Sequence, residues 1–170
     1  MSASARHVWA ALVIVYVVWG STYLGIKVVV DTLPPLFSAG SRFLAAGAIL
    51  ALVLAARGHG LRITRRELAS TALLGALLLT LGVGVVHVAE TRIDSSVAAM
   101  IAGTVPLQVV LLRSALGERV SRGMRLATLV GLVGLVLVVA PGFGAGSTAV
   151  GLLVMVGAAI SWSVGSFLSP

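Results

Sequence analysis

Three residues near the amino terminus have types and a spacing that suit the recognition of a small organic molecule. Trp19, Tyr23 and Lys27 follow one another at intervals of four residues. On a helix this spacing places them on one face, which would offer two aromatic rings and an ammonium group to a ligand. In the alternative interpretation, Lys27 lies near the end of its helix and extends its ammonium group to lipid headgroups beside an aromatic belt.

A second set of residues could form ion pairs. Arg42 lies about seven residues inside an apolar run, and Glu90, Arg92 and Asp94 follow another such run closely. Because an unpaired charge is costly in apolar surroundings, we expect Arg42 and Glu90 to be coupled across two helices. The same cluster would include Lys27, Asp31, Arg92 and Asp94. The cluster would either act as a gate and bind substrate or only hold the helices together.

Other polar groups also lie inside apolar runs, namely His87, Thr104, Gln108 and the indole of Trp162. We regard them as candidate residues of a substrate pathway, because a buried amide or hydroxyl group needs a partner. For His87, ordinary packing is the stronger alternative. Pro106 removes a backbone hydrogen bond and frees the carbonyl of the residue four positions earlier, so it is a candidate hinge or a passive kink.

The residues that other chemistries require are missing from the sequence. The chain has no Cys, which excludes disulfides, thiolate metal ligands and thiol nucleophiles. Its three His are scattered, and neither an HExxH motif nor a P-loop occurs. The glycine-rich stretch 142–146 follows no strand pattern, so it does not predict a dinucleotide site. We therefore expect no enzyme activity, metal, cofactor or ATP-driven pump within this chain.

The composition places these residues in a membrane. Of the 170 residues, 59% are apolar and 10% are charged, whereas soluble domains carry about 25% charged residues. A helix that crosses a bilayer needs about 20 apolar residues, and six runs qualify, at 8–29, 35–56, 68–89, 94–114, 123–140 and 149–168. The runs are continuous rather than alternating, which favours helices over a barrel. The predicted fold is an all-α integral membrane protein with six transmembrane helices in the lipid bilayer.

The distribution of positive charge predicts the orientation. Nine of the 12 basic residues fall in segments on one side of this topology: Arg6, Arg57, Arg62, Arg65, Arg66, Arg113, Arg119, Arg122 and Arg125. By the positive-inside rule that side is cytoplasmic, and so is the amino terminus. Because the basic residues lie in short gaps between apolar runs, the net charge of +7 does not predict nucleic-acid binding.

The last helix contains a pattern similar to that of the first. Residues 160–167 and 18–23 both place Trp before small and hydroxyl residues and then an aromatic residue. Five helices separate the two starts, so a second copy would begin on the opposite side of the membrane. This arrangement is the inverted repeat of many secondary transporters, although Trp beside Gly or Ser is also common at membrane interfaces.

Several motifs together resemble one family, the EamA-type transporters of the drug/metabolite transporter superfamily. In order, they are Trp19-Gly20-Ser21-Thr22-Tyr23 with Lys27, Leu33-Pro34-Pro35-Leu36, Ser41-Arg42-Phe43-Leu44-Ala45-Ala46-Gly47, Val88-Ala89-Glu90, Ser95-Ser96-Val97-Ala98-Ala99, Thr104-Val105-Pro106-Leu107 and Gly117-Glu118-Arg119. The resemblance covers nearly the whole chain.

The resemblance implies two inverted five-helix halves with a substrate cavity between them. On that pattern, residues 8–140 would be the first EamA-type repeat, and residues 149–168 would be the first helix of a truncated second repeat. The implied function is secondary export of small metabolites, amino acids or drugs from a multi-pass position in the plasma (inner) membrane. A second half or a homo-oligomer would complete the pathway. The alternative is a non-transporting membrane scaffold, or a half-transporter subunit that needs a partner chain.

Overall fold

The computed structural model describes residues 3–58, 63–139 and 146–169, and within these ranges it is helical with no strand. Six helices follow in chain order: α1 (Ala3–Val30), α2 (Pro35–Ala56), α3 (Arg65–Ala89), α4 (Ser95–Ala115), α5 (Arg122–Val139) and α6 (Ala149–Leu168). All but α5 are long and apolar enough to cross a membrane along their described lengths. These helices confirm the six predicted runs and the all-α membrane fold.

Local sequence signals account for where several helices begin and end. At the start of α3, Thr64 and Glu67 form a reciprocal cap, in which the Thr64 backbone N–H donates to the Glu67 carboxylate at 2.7 Å. The Glu67 N–H donates to the Thr64 hydroxyl in return, at 3.3 Å. After α4, Gly117 has a φ of +85°, which suits glycine. There the Glu118 N–H donates to the carbonyl of Arg113 at 3.0 Å.

Helix α3 is not α-helical throughout. An α-helical segment, Arg65–Gly75, leads into a π-helical segment, Ala76–Gly84, and a short α-helical segment, Val85–Ala89, completes it. π-Helical turns are rare and occur frequently at functional sites. The apolar pattern of the sequence does not predict this segment.

Helix α6 packs closely on the π-helical segment. A Cβ atom on Gly82 would lie 2.9 Å from Cε3 of Trp162, so glycine allows the indole to rest on the backbone of α3. The Ser161 hydroxyl donates to the carbonyl of Leu77 at 2.9 Å. These contacts join α6 to the middle of α3 along its wider turns.

Helix α4 is interrupted between two segments, Ser95–Ala102 and Val105–Ala115. The turn lies at residues 103–104, and Pro106 occupies the first helical turn of the second segment. Proline is tolerated there because its missing N–H would have no partner in a first turn. The interruption therefore precedes Pro106, and the hinge role of Pro106 remains a prediction.

The buried apolar core lies where the end of α3, the first segment of α4 and α6 meet. Its members are Ile26, Val86, Ala89, Ile93, Val97, Ala98, Ile101, Met155, Ala158 and Ala159. Helices α1 and α2 contribute few buried residues and expose long apolar faces, whereas α6 is the most buried span. Exposed apolar faces of this length suit contact with lipid.

The start of α6 is bound to the loop between α3 and α4. The Thr148 backbone N–H donates to the carbonyl of Arg92 at 2.9 Å, and the Thr148 hydroxyl accepts from the N–H of Gly151 at 3.1 Å. Ile93 is fully buried against Gly151. Two connections that the topology places on the same side of the membrane are thus in direct contact.

Candidate functional site

A cavity of about 990 Å³ lies among α1, α2, α3, α4 and α6. Its walls are mostly apolar, with the aromatic rings of Trp19, Tyr23, Phe43 and Trp162 among them. Arg42 contributes the cavity's one charged side chain, as far as the structure describes the chain. Ligand sites commonly combine apolar and aromatic walls with few polar groups and occupy roughly 300–1,000 Å³. The cavity therefore has the size and lining of a site for a small organic molecule.

Two tryptophans from opposite ends of the chain meet at this cavity. The rings of Trp19 on α1 and Trp162 on α6 are 5.8 Å apart between centroids and make an interplanar angle of 89°. This edge-to-face geometry is a favourable aromatic contact. Trp19 remains 55% exposed, so a large part of its ring is available to a bound molecule.

Arg42 belongs to two cavities at once. Its guanidinium carbon lies 5.0 Å from the ring centroid of Phe43, a distance at which a cation interacts with an aromatic face. Besides the large cavity, Arg42 lines a smaller one of about 380 Å³ that also includes Ser38 and His87. A planar cation so placed can bind a carboxylate or phosphate through paired hydrogen bonds.

His87 is buried beside the smaller cavity and has a backbone partner. Only 2% of the residue is exposed, and its Nδ1 lies 2.8 Å from the carbonyl oxygen of Val83. Because a carbonyl only accepts, Nδ1 carries the hydrogen in this contact. This bond fixes the ring, and Nε2 is the remaining nitrogen that could meet a ligand.

Lys27 connects α1 to the end of α3. Its ammonium group donates to the backbone carbonyl of Glu90 at 2.9 Å and lies 3.9 Å from the carboxylate of Asp31. Lys27 is not among the residues that line either cavity. The ammonium group thus stabilises a helix end, as expected for a cation at the carboxyl terminus of a helix.

The Glu90 side chain is enclosed in protein. It is 0% exposed, and neither carboxylate oxygen accepts a hydrogen bond from a residue that the structure describes. Glu90 lies one residue beyond the helical span that ends at Ala89. Burial raises the pKa of Glu90 to about 8, and the nearby Lys27 ammonium opposes this rise.

Within the expected ion-pair cluster, Lys27 and Asp31 are in direct contact, whereas Arg42, Glu90, Arg92 and Asp94 form no ion pair with the residues that the structure describes. Among the described residues, the ion pairs are Lys27–Asp31 and Arg113–Glu118, and neither involves Arg42 or Glu90. Arg92 and Asp94 are exposed on the loop between α3 and α4. Their gating role, like the coupling of Arg42 with Glu90, remains a prediction.

Gln108 and Thr104 hold α4 against α6. The Gln108 amide donates to the Thr104 hydroxyl at 2.6 Å, and the Gln108 carbonyl oxygen accepts from the Ser163 hydroxyl at 2.9 Å. Neither Gln108 nor Thr104 lines the large cavity, although their neighbour Pro106 does. The amide in this apolar region therefore has protein partners on both of its ends.

The structure brings together part of the predicted pathway. Among the sequence candidates, those that line the large cavity are Trp19, Tyr23, Arg42, Pro106 and Trp162. His87 lines the smaller cavity, and Lys27, Thr104 and Gln108 lie elsewhere. Phe43 and Gly82 also line the cavity but are not among the sequence candidates. Two sequence features could have pointed to these residues: an aromatic residue stands next to Arg42, and a pair of glycines at 82 and 84 interrupts an apolar run.

Comparisons with known proteins identify the family of the chain. Residues 7–140 match the EamA-like transporter family. The chain is 38% identical over 159 residues, 93% of its length, to an uncharacterized inner membrane transporter, YedA, of Escherichia coli strain K12, and equally to that of strain O157:H7.

A shorter match, 42% identical over 40 residues, is to an uncharacterized transporter of Buchnera aphidicola subsp. Schizaphis graminum, and covers 24% of this chain and 13% of that protein. The chain spans about half the length of the YedA proteins, 51%. No solved structure is significantly similar to the chain.

Proposed function

The chain belongs to the EamA-like transporter family, and from this premise we propose that it forms the pathway of a secondary exporter of small metabolites. The observation that carries the proposal is the cavity of about 990 Å³ inside the helix bundle. A site of mixed aromatic and cationic character among membrane helices is what a transporter of organic molecules requires.

The lining of the cavity favours amphipathic substrates with an anionic group. Trp19, Tyr23, Phe43 and Trp162 offer aromatic surface to an apolar substrate body. Arg42 offers a guanidinium group to a carboxylate, an interaction that is strong when water is excluded. Amino acids and related metabolites combine both features, and lipophilic drugs use the aromatic surface alone.

We place the protein in the inner membrane with its amino terminus in the cytoplasm. The YedA relatives are described as inner membrane transporters, and nine of the 12 basic residues lie on one side of the topology. In this orientation the contact between Thr148 and Arg92 lies on the outer side.

We further propose that a second five-helix repeat closes the cavity, with α6 as the first helix of that repeat. Trp19 and Trp162 belong to similar sequence motifs and pack together, as equivalent positions near the interface of two repeats would. Arg42 and Trp19 are both exposed although they line the cavity, so one side of it is open. The second repeat would be supplied by a longer chain or by a partner chain.

Export assays test this proposal. Cells that express this chain, or a form that carries a second five-helix repeat, are loaded with labelled phenylalanine, and efflux is followed with and without a membrane potential. We expect robust efflux from the longer form and little from the 170-residue chain alone. The variants Arg42→Gln and Trp19→Ala should reduce the efflux at least tenfold, the effect of losing about 1.4 kcal/mol of binding.

Two control variants accompany these. Trp9→Ala removes an equally exposed indole of α1 that does not line the cavity, and Leu44→Ala removes an exposed apolar side chain near Arg42. Both should leave efflux unchanged. Equal efflux from cells that lack the protein would contradict the transport proposal, and robust efflux from the short chain alone would contradict the need for a second repeat.

The remaining pathway candidates are tested in the same assay. Lys27→Ala and Gln108→Ala remove groups that bind neighbouring helices rather than line the large cavity. We expect both to lower the amount of folded protein in the membrane while leaving the apparent affinity for phenylalanine unchanged. A lower affinity with a normal protein level would place these residues in the pathway after all.

A further inference from the structure

Glu90 is buried in a way that a purely structural carboxyl group would not be. It is 0% exposed, and neither Oε1 nor Oε2 has a hydrogen-bond partner in the described part of the chain. A buried carboxylate without partners is very costly, whereas a protonated carboxyl group is neutral and costs much less to bury. The geometry therefore suits a carboxyl group that holds a proton.

Few charged or titratable groups surround Glu90. Helix α6 and the first segment of α4, which pack nearby, contain none. The titratable and charged groups on the other neighbouring elements are Tyr23 and Lys27 on α1, Asp31 after it, Arg42 on α2, His87 on α3, and Arg92 and Asp94 on the following loop. Of these, Lys27 interacts electrostatically with the Glu90 carboxylate, and Arg42 interacts with His87 instead.

We propose that the Glu90 carboxyl group binds and releases the proton that drives transport, so that export is coupled to a proton gradient. This inference rests on the proposed function, since a coupling ion needs a transported substrate. The observations that support it are separate from those on the aromatic cavity. They are the complete burial of Glu90, the absence of hydrogen-bond partners for its carboxylate oxygens among the described residues, and the bond from Lys27 to its backbone carbonyl.

Lys27 supplies the response to proton release. When Glu90 is protonated, the Lys27 ammonium binds the Glu90 backbone carbonyl and lies near Asp31. When the carboxyl group transfers its proton to water, a negative charge forms close to this ammonium group. The new attraction draws Lys27 away from Asp31 and toward the carboxylate, because an ion pair is stronger in apolar surroundings than near bulk water.

The Glu90 carboxyl group is close enough to the cavity for a change in its charge to affect the cavity wall. Tyr23 lines the cavity and lies within electrostatic range of Glu90. Val86, one helical turn before Glu90, also lines the cavity. A shift of Lys27 on α1 relative to the end of α3 would therefore alter the wall that holds the substrate.

Infrared titration of the purified full chain tests proton binding without any substrate. A protonated buried carboxyl group absorbs separately from carboxylates, so we expect a band in the wild type that persists to neutral pH and disappears as the pH rises through about 8. The band should be missing in Glu90→Gln and unchanged in the matched variant Glu118→Gln, whose carboxyl group is exposed. Absence of the band from the wild type would overturn the proposal.

Transport of labelled phenylalanine tests the coupling, in proteoliposomes that hold the form with a second five-helix repeat, either wild type or altered at Glu90. An imposed pH gradient should raise wild-type accumulation several-fold, whereas Glu90→Gln should retain phenylalanine exchange and lose the response. Glu90→Asp, which keeps an ionisable group, should retain a response at a shifted pH. Accumulation by Glu90→Gln that follows the gradient as in the wild type would overturn the coupling. Exchange that is absent from every form would contradict the proposed function instead, while the infrared result would still decide proton binding.

Discussion

The indole rings of Trp19 and Trp162 meet edge to face, 5.8 Å apart, although the two residues belong to the first and last helices of the chain. Trp162 also rests against Gly82 in the π-helical part of α3. The contact therefore links α1, α3 and α6 at the wall of the cavity, where a substrate would touch both rings.

Removal of this aromatic pair should show energetic coupling. We expect the effects of Trp19→Leu and Trp162→Leu on the free energy of unfolding to be non-additive by about 0.5–1.5 kcal/mol, the value of an aromatic contact beyond buried area. Reversible unfolding in mixed detergent micelles measures this coupling. Trp9→Leu is the control, and its effect should add to that of Trp162→Leu. Strict additivity for Trp19 and Trp162 would contradict the contact.

Close packing on α3 should make one glycine intolerant of a methyl group. In Gly82→Ala the new Cβ would lie 2.9 Å from the Trp162 ring and 3.1 Å from the carbonyl oxygen of Leu77. Overpacking of this kind costs about 1–3 kcal/mol, so folded protein should decrease. Gly75→Ala, on the same helix with no atom within 4 Å, is the control and should be neutral or stabilising. Equal behaviour of the two variants would argue against the packing of α6 on the π-helical segment.

The proposed orientation is tested with single cysteines, since the chain has none of its own. Thr32→Cys and Ser121→Cys replace exposed residues at opposite ends of the bundle. In intact cells an impermeant thiol reagent should label position 32 and leave position 121 unlabelled until the cells are opened. The reverse pattern would mean that the arginine-rich side faces outward.

The stability of the protein should depend on pH through Glu90. Its pKa in the folded protein, about 8, lies above the ordinary value of 4.5, so the folded state holds the proton more tightly than the unfolded state. The contribution of Glu90 to stability is therefore complete below pH 4.5 and is lost as the pH rises through about 8.

Thermal unfolding of the detergent-purified protein across this pH range measures the effect. Glu90→Gln should flatten the decrease in Tm, and Glu118→Gln should retain it, because Glu118 is exposed and already paired with Arg113. An unchanged pH profile in Glu90→Gln would contradict the assignment of this dependence to Glu90.

The sequence predicted the helices well because each one is a long apolar run interrupted by charged or glycine-rich segments. It did not predict the π-helical segment Ala76–Gly84, whose residues are apolar except for Thr80 and differ little from those of the other spans. This segment contacts Trp162 and Ser161, which lie 80 and 84 residues beyond their partners Gly82 and Leu77 in the chain.

The candidate site was predicted in part for a related reason. Spacing by four residues placed Trp19, Tyr23 and Lys27 on one helical face, and the two aromatic residues do line the cavity. Lys27 instead binds the end of α3, because four-residue steps drift around a helix and its partner is a backbone carbonyl on another helix. The location of a distant carbonyl cannot be inferred from spacing along one segment.

The hydrogen bond from the Thr148 N–H to the carbonyl of Arg92 affects which helices can move relative to one another. It fastens α6 to the α3–α4 connection, so α3, α4 and α6 are braced together. Helix α2, with only 6% of its span buried, is held less tightly. During the proposed transport cycle we expect α2 to move relative to α3, α4 and α6, and these three helices to keep their arrangement. Spin labels at Leu44 and Leu153 should then change separation on phenylalanine binding, and labels at Leu73 and Leu153 should not.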